Sequence, residues 1–224
     1  MSTKIIDIDV IADFVCPWCF LGRRRLQKAI SFLPQLNIRV SWKPFQIAPT
    51  VPKDGKPYQD YMRTIFGSRD AVDEAERQLI VLGEEDNIAF DFSNIATMPN
   101  SLNAHRVAYW AAQDEVGVQD DLVEELFSRF FEQGQNIGKH SVLIDSAKQA
   151  GMRSDVVEKL LQTAIDLDVI KQDINGANYI GVQGVPCFII DKKFVIMGAQ
   201  SSDVLADAIQ QIADGFEPTA TEDR

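Results

Sequence analysis

Asp13-Phe14-Val15-Cys16-Pro17-Trp18-Cys19-Phe20 decides how this chain is read. An alternating run precedes it: Ile6, Ile8 and Val10 are separated by Asp7 and Asp9, the period of a half-buried strand over residues 4–12. A helical pattern follows over residues 16–33, with Leu21, Leu26, Ala29, Ile30 and Leu33 on one side. Pro17 sits in the first turn, where a missing N–H costs little, and Pro34 stops the helix. Two cysteines three positions apart therefore open a helix directly after a strand. The first sulfur lies among unpaired backbone N–H groups at the positive helix end, which favours thiolate over thiol. In such pairs the cysteine pKa falls from about 8.5 into a range of roughly 3.5–7.5. The second sulfur is held where it can attack a mixed disulfide formed by the first. The pattern points to thiol–disulfide exchange.

Outward from this stretch, residues 37–45 form a second strand with Ile38, Val40 and Trp42 on one face, which completes a β-α-β start. Residues 46–57 are a proline-rich connection. Ser68 is a candidate cap for a helix over 69–82, with Gly83 following its end, and residues 90–95 read as extended. Further helices are expected near 101–116, 120–133, 141–150, 154–164 and 167–178, punctuated by Gly117, Gly134 and Gly151. Strands return at 187–190 and 194–197 as a hairpin around Asp191-Lys192-Lys193, a last helix spans 202–213, and residues 217–224 read as a frayed tail. The order predicts an α/β fold. Residues 1–45 and 179–224 make one four-stranded module, and residues 46–178 make an all-helical insert.

The chain has 224 residues, enough to bury a core without disulfide staples. A net charge of −11 argues against a nucleic-acid partner, and no apolar run is long enough to span a membrane. Asp7, Asp9 and Asp13 interrupt the first apolar stretch, so no signal peptide is expected and a cytoplasmic location is. Three cysteines, two of them in one motif, do not make a structural disulfide framework. The rival reading of Cys16 and Cys19 is zinc, which normally takes four ligands. Only Cys187, His105 and His140 are left to supply them and none is in a paired motif, so no metal is expected.

Cys16-Pro17-Trp18-Cys19 after a strand and Gly184-Val185-Pro186 before a hairpin resemble the two active-site segments of the thioredoxin fold, and the helical insert resembles the DsbA branch of that superfamily. Asp13 through Gly22, together with Pro99-Asn100-Ser101-Leu102-Asn103-Ala104-His105-Arg106, is similar to the FrnE-type DsbA-family oxidoreductases. The resemblance implies that Cys16 is the nucleophile and Cys19 the resolving thiol. It also implies that Pro186 is a cis-proline beside the pair, and that the Val185 backbone pairs with an extended substrate next to Pro17 and Trp18. The partner implied is a thiol or disulfide of a protein or of glutathione, with no permanently bound cofactor. Strongly oxidising DsbA proteins carry Pro-His between the cysteines. Trp18 offers no imidazole to the Cys16 thiolate, so a weaker oxidant than the figure of about −120 mV is expected. The related kappa-class glutathione transferases and 2-hydroxychromene-2-carboxylate isomerases replace the first cysteine with serine and use glutathione without cycling a disulfide. That keeps a second function open, a glutathione-dependent transferase or isomerase on a hydrophobic small molecule. In it Ser202 and Asp203, at a predicted helix start, would hold the γ-glutamyl group. A third reading is a partner-binding protein indifferent to both thiols.

Other residues carry weaker signals. Cys187 reads as a buried thiol, and His105 as a polar insert position or part of the cleft mouth. Asp13 reads as a turn cap, or as an acceptor for the resolving thiol's proton. Arg23, Arg24 and Arg25, roughly 10 Å from Cys16, read as a solvated face too distant to matter. Trp18 is expected to be exposed beside the sulfur, and Phe20 to be either core or substrate contact.

Overall fold

A computed structural model of the protein describes residues 5–114, 117–179 and 181–216. Lys4, the first residue of the expected first strand, and the 217–224 tail lie outside them. Strand β1 (Ile5–Ala12) is an inner strand: it runs parallel to β2 (Asn37–Pro44), with Ile8 opposite Val40, and antiparallel to β5 (Cys187–Ile190), with Val10 opposite Phe188. β6 (Phe194–Met197) pairs with β5, giving the order β2-β1-β5-β6. Ile6, Ile8 and Val10 are buried in the main core, while Asp7 faces the other way and takes two hydrogen bonds from Arg39. Helices α1 (Pro17–Ser31) and α9 (Ser202–Ala213) pack against each other over the face that carries Ile6, Ile8 and Val10. This is the thioredoxin fold with a DsbA-like insert.

Between β2 and β5 the chain forms β3 (Lys56–Pro57), α2 (Tyr58–Phe66), α3 (Arg69–Glu85), a single 3-10 turn at Phe92–Asn94, β4 (Thr97–Met98), α4 (Leu102–Ala111), α5 (Val118–Phe131), α6 (His140–Gln149), α7 (Ser154–Leu161) and α8 (Leu167–Tyr179). The insert is therefore not wholly helical. Lys56 pairs with Met98 and Pro57 with Thr97, a ribbon too short to leave a period in the sequence. Residues 92–94, expected extended, make the 3-10 turn.

Ser68 caps α3 as expected, its hydroxyl accepting the Ala71 N–H at 3.2 Å. The helix does not stop at Gly83. It runs on to Glu85 because the glycine serves packing: a Cβ there would lie 2.5 Å from the Phe90 ring. Gly117, Gly134 and Gly151 all adopt positive φ and do separate the insert helices.

One apolar core joins sheet and insert. Phe20 on α1 stacks on Phe127 of α5 with centroids 5.2 Å apart, which settles Phe20 as a core residue. The three arginines are not a solvated face. Arg23 is buried and reaches α5, bonding Asp120 at 2.8 Å and Glu124, which Arg24 also holds. Arg25 bonds Asp86 at 2.6 Å and the Ala199 carbonyl at 2.6 Å. The three side chains clamp α1 to the insert and to the segment that leads into α9. Their spacing from Cys16 gave no sign of this, because the acceptors lie 61 to 174 positions away in sequence.

Candidate active site

Cys16 is the N-cap of α1, with extended backbone (φ −100°, ψ 112°), and Pro17 takes the first helical position. The Cys16 carbonyl accepts the Cys19 N–H at 3.0 Å, so the two cysteines sit on one turn. Their surroundings differ. Cys16 is 6% exposed and lines a cavity, whereas Cys19 is fully buried. Burial first, then the hydrogen bond and charge shared with Cys16, push the Cys19 thiol well above its ordinary pKa. Cys16 therefore borders the cavity, and Cys19 is held protonated behind it.

Val185 and Pro186 close the site from the other side. The Val185–Pro186 peptide bond is cis, and the Val185 carbonyl lies 3.7 Å from the Cys16 sulfur. Pro186 can approach α1 because residue 22 is glycine: a Cβ at that position would stand 2.8 Å from the Pro186 Cγ. The Pro186 carbonyl accepts the Gly198 N–H at 2.8 Å, which ties this loop to the segment leading into α9.

Trp18 is 44% exposed beside the sulfur. With Val15, Cys16, Pro17 and the insert residues Tyr58, Tyr61 and Met62 it lines a cavity of about 480 Å³. The wall is apolar and aromatic, supplied by the site turn on one side and by α2 and α3 on the other. Glu76 is the one charged residue lining it among the described residues. Nothing in the sequence pointed to α2 as a wall of this cavity, since Pro57 precedes it where a polar cap would have marked its start.

Asp13 does not cap the turn with its side chain. Its carbonyl accepts the Cys16 N–H at 3.0 Å, while the carboxylate points into the protein. There Oδ2 accepts the Ile47 N–H at 2.8 Å and Oδ1 lies 3.3 Å from His105 Nε2. His105 is buried, not at a cleft mouth, with its ring 4.7 Å from that of Phe14. The Pro99–Arg106 motif is otherwise structural. Asn100 accepts the Leu102 N–H at the start of α4, and the buried Arg106 guanidinium donates to the carbonyls of Leu160, Thr163 and Ile165. A cation satisfied by carbonyls at the end of α7 is favoured by the helix dipole as well as by hydrogen bonding.

Cys187 is buried beside Ile11, Ala177 and Val182, and desolvation raises its pKa. At α9 the cap is Ser201, whose hydroxyl accepts the Val204 N–H at 3.4 Å; Ser202 is buried and Asp203 is exposed in the first turn. Among the described residues no three His, Cys, Asp or Glu side chains are grouped as metal ligands.

Comparison with known proteins agrees with this geometry. The family model described as the DSBA-like thioredoxin domain matches residues 7–210. Over 205 residues the chain is 29% identical to YwbO, an uncharacterized protein of Bacillus subtilis (strain 168), covering 91% of this chain and 96% of YwbO. The crystal structure of a probable DsbA oxidoreductase, SCO1869 from Streptomyces coelicolor, superposes with a TM-score of 0.86 at 23% identity, covering 97% of this chain and 94% of that one. The cytosolic disulfide reductase DsbM from Pseudomonas aeruginosa, solved with glutathione, gives a TM-score of 0.63 at 15% identity, covering 92% of this chain and 98% of that one.

Proposed function

This chain belongs to the family of DsbA-like thioredoxin domains, and from that premise we propose that it is a dithiol–disulfide oxidoreductase with Cys16 as nucleophile and Cys19 as resolving thiol. The observation that carries this reading is that, of two cysteines on one helical turn, Cys16 lines the cavity and Cys19 lies fully buried behind it. In the reducing direction the Cys16 thiolate attacks a substrate disulfide. A Cys16–substrate S–S bond forms, the substrate bond breaks, and one substrate sulfur leaves as thiolate. Cys19 then loses its proton and attacks the Cys16 sulfur. The second substrate thiolate departs, and the Cys16–Cys19 disulfide remains. Two electrons pass to the substrate; the reverse sequence oxidises a dithiol. Keeping Cys19 protonated leaves Cys16 as the sulfur that attacks the substrate disulfide. Pro17, Trp18 and the Val185–Pro186 segment receive the substrate backbone or its apolar part. No helix among the described residues is long and apolar enough to cross a membrane, and the expected cytoplasmic location suits the reducing direction.

Two single variants test the proposal. Cys19→Ser should accumulate a mixed disulfide through Cys16, visible as a mass adduct lost on reduction. Cys16→Ser should abolish exchange, and exchange at the wild-type rate in that variant sinks the proposal.

The apolar cavity beside Cys16 supports a second reading, a glutathione-dependent transferase or isomerase acting on a hydrophobic small molecule. Glutathione in the structure of DsbM is consistent with a tripeptide co-substrate, held in this chain by Asp203 and the start of α9. Activity that requires glutathione yet survives Cys19→Ser would select this reading over the first.

A further inference from the structure

Glu76 is the anomaly of the cavity. It is the one charged side chain lining an otherwise apolar wall, and it is only 9% exposed. The carboxylate feels the hydroxyl of Tyr58, which is itself buried. One carboxylate oxygen, Oε1, is buried with no hydrogen-bond partner among the described residues. Cationic neighbours do not explain it: Glu76 forms no ion pair among the described residues, and burial pushes its carboxyl pKa up against the weaker pull of Arg69. A buried acceptor without a donor destabilises a fold unless something else supplies the donor. Helix α3 could have placed any apolar residue here, as it does with Val72 and Leu79.

We infer that Glu76 makes the cavity selective for a small organic thiol or disulfide whose apolar body carries an N–H or O–H donor, such as an amine or a phenol. This rests on the reading of Cys16 as the nucleophile, since the sulfur of the bound molecule must meet Cys16 while its donor meets Glu76. The chemistry is consistent on three counts. A volume of about 480 Å³ suits a molecule of drug-like size, and the aromatic lining suits an apolar body. A site that offers a buried acceptor rejects analogues lacking the donor much more strongly than an apolar pocket rejects a missing methyl group. A carboxylate as the sole charge also repels anions. The carboxylates of glutathione are thereby excluded from this cavity, and any glutathione must lie on the α9 side of Cys16.

The test uses the reduced full-length protein and two nearly isosteric probes, bis(4-aminophenyl) disulfide and bis(4-methylphenyl) disulfide. In each reaction one probe disulfide is reduced to two aryl thiols while Cys16 and Cys19 are oxidised to a disulfide. The single-turnover rates of wild type, Glu76→Gln and Glu76→Leu are measured with both probes. The amine-to-methyl rate ratio of each variant is divided by that of wild type, which cancels the intrinsic reactivity of the two sulfurs. The ratio should fall at least about tenfold in Glu76→Leu. Glu76→Gln keeps an acceptor oxygen and should retain most of the preference. An unchanged ratio in a folded Glu76→Leu, checked by circular dichroism, overturns the inference and leaves Cys16 as nucleophile. Failure of the wild type to react with either probe faster than a free thiol overturns the underlying oxidoreductase reading instead.

Discussion

His105 Nε2 lies 3.3 Å from Asp13 Oδ1, and neither side chain reaches solvent. The pair joins α4 of the insert to the turn that delivers Cys16. The same aspartate also holds Ile47, beyond the end of β2, through its other oxygen, and Cys16 through its carbonyl. One residue thus fixes three things that the site needs in constant relation: the sheet, the insert and the start of α1.

Replacing Asp13 should therefore cost more than a surface carboxylate would. Asp13→Ala leaves the Ile47 N–H and the His105 ring nitrogen without partners in a buried place, at about 1–3 kcal/mol for each unsatisfied group. We expect a loss of about 2–6 kcal/mol in the urea unfolding free energy. Asp13→Asn, which keeps an acceptor for the Ile47 N–H, should lose less than half of that. Equal stability of Asp13→Ala and wild type would show that the pair braces nothing.

Gly22→Ala sets two effects of opposite sign against each other. Alanine within a helix is favoured over glycine by roughly 0.5–1 kcal/mol. The added methyl, however, would stand 2.8 Å from the Pro186 Cγ and 3.2 Å from the Phe188 ring. Overpacking of this kind costs about 1–3 kcal/mol, so the net effect should be destabilising. The displaced Pro186 loop should also slow exchange at Cys16. A Tm equal to or above that of wild type would show that the loop yields freely.

The parts of this architecture that were legible in sequence are those written in local pattern. The alternation of Ile6, Ile8 and Val10, the two cysteines at a strand-to-helix junction, and the apolar runs on either side of Asp191-Lys192-Lys193 each report on neighbours a few residues away. What stayed hidden depends on contacts between distant segments. The partner of Asp13 is 92 positions away, and those of Arg23 about 100, so no window of sequence contains both ends. Gly83 shows the converse error: a glycine at the end of a helical pattern reads as a terminator, whereas here it makes room for Phe90. Glu76 gave no signal at all, being one acid among several on an amphipathic helix.

Arg23 should matter through its position, not its charge alone. Removing one member of a buried ion pair costs about 3–5 kcal/mol when the partner stays buried. Here the partners are more open, with Asp120 43% and Glu124 27% exposed, and they can rehydrate. Arg23→Met should therefore destabilise by less, about 1–3 kcal/mol. Double-mutant cycles with Asp120→Asn and with Glu124→Gln isolate the two pairs, and coupling energies near zero in both would mean that packing of the arginine stem explains the loss.

Trp18→His tests the expected redox poise. Trp18 is 44% exposed, so the substitution disturbs little of the core. An imidazolium beside Cys16 stabilises the thiolate and hence the reduced form, which makes the disulfide more oxidising. Stabilisation by about 1.4 kcal/mol corresponds to about 30 mV for a two-electron couple. The variant's potential, measured against a glutathione buffer, should be higher than wild type by at least that amount. A shift to lower potential would mean that Trp18 itself favours the reduced state.

The buried Cys19 thiol makes stability depend on pH in a direction set by its raised pKa. Below the ordinary thiol pKa of 9.0, folded and unfolded chains both hold the proton and the contribution is complete. Above it the unfolded chain releases the proton while the folded chain keeps it, so stability falls as pH rises and continues to fall until the folded thiol ionises. Each such proton contributes a slope of about 1.4 kcal/mol per pH unit. Cys187, also raised by burial, adds to the slope in the same window. Reduced wild type should lose stability steeply between about pH 9 and pH 10.5, and Cys19→Ser should lose it less steeply by about one proton's worth. Urea unfolding of both proteins across that range, under reductant, gives the two slopes. Equal slopes would show that Cys19 ionises in the folded protein as readily as in the unfolded chain, and that nothing in the site holds its proton back.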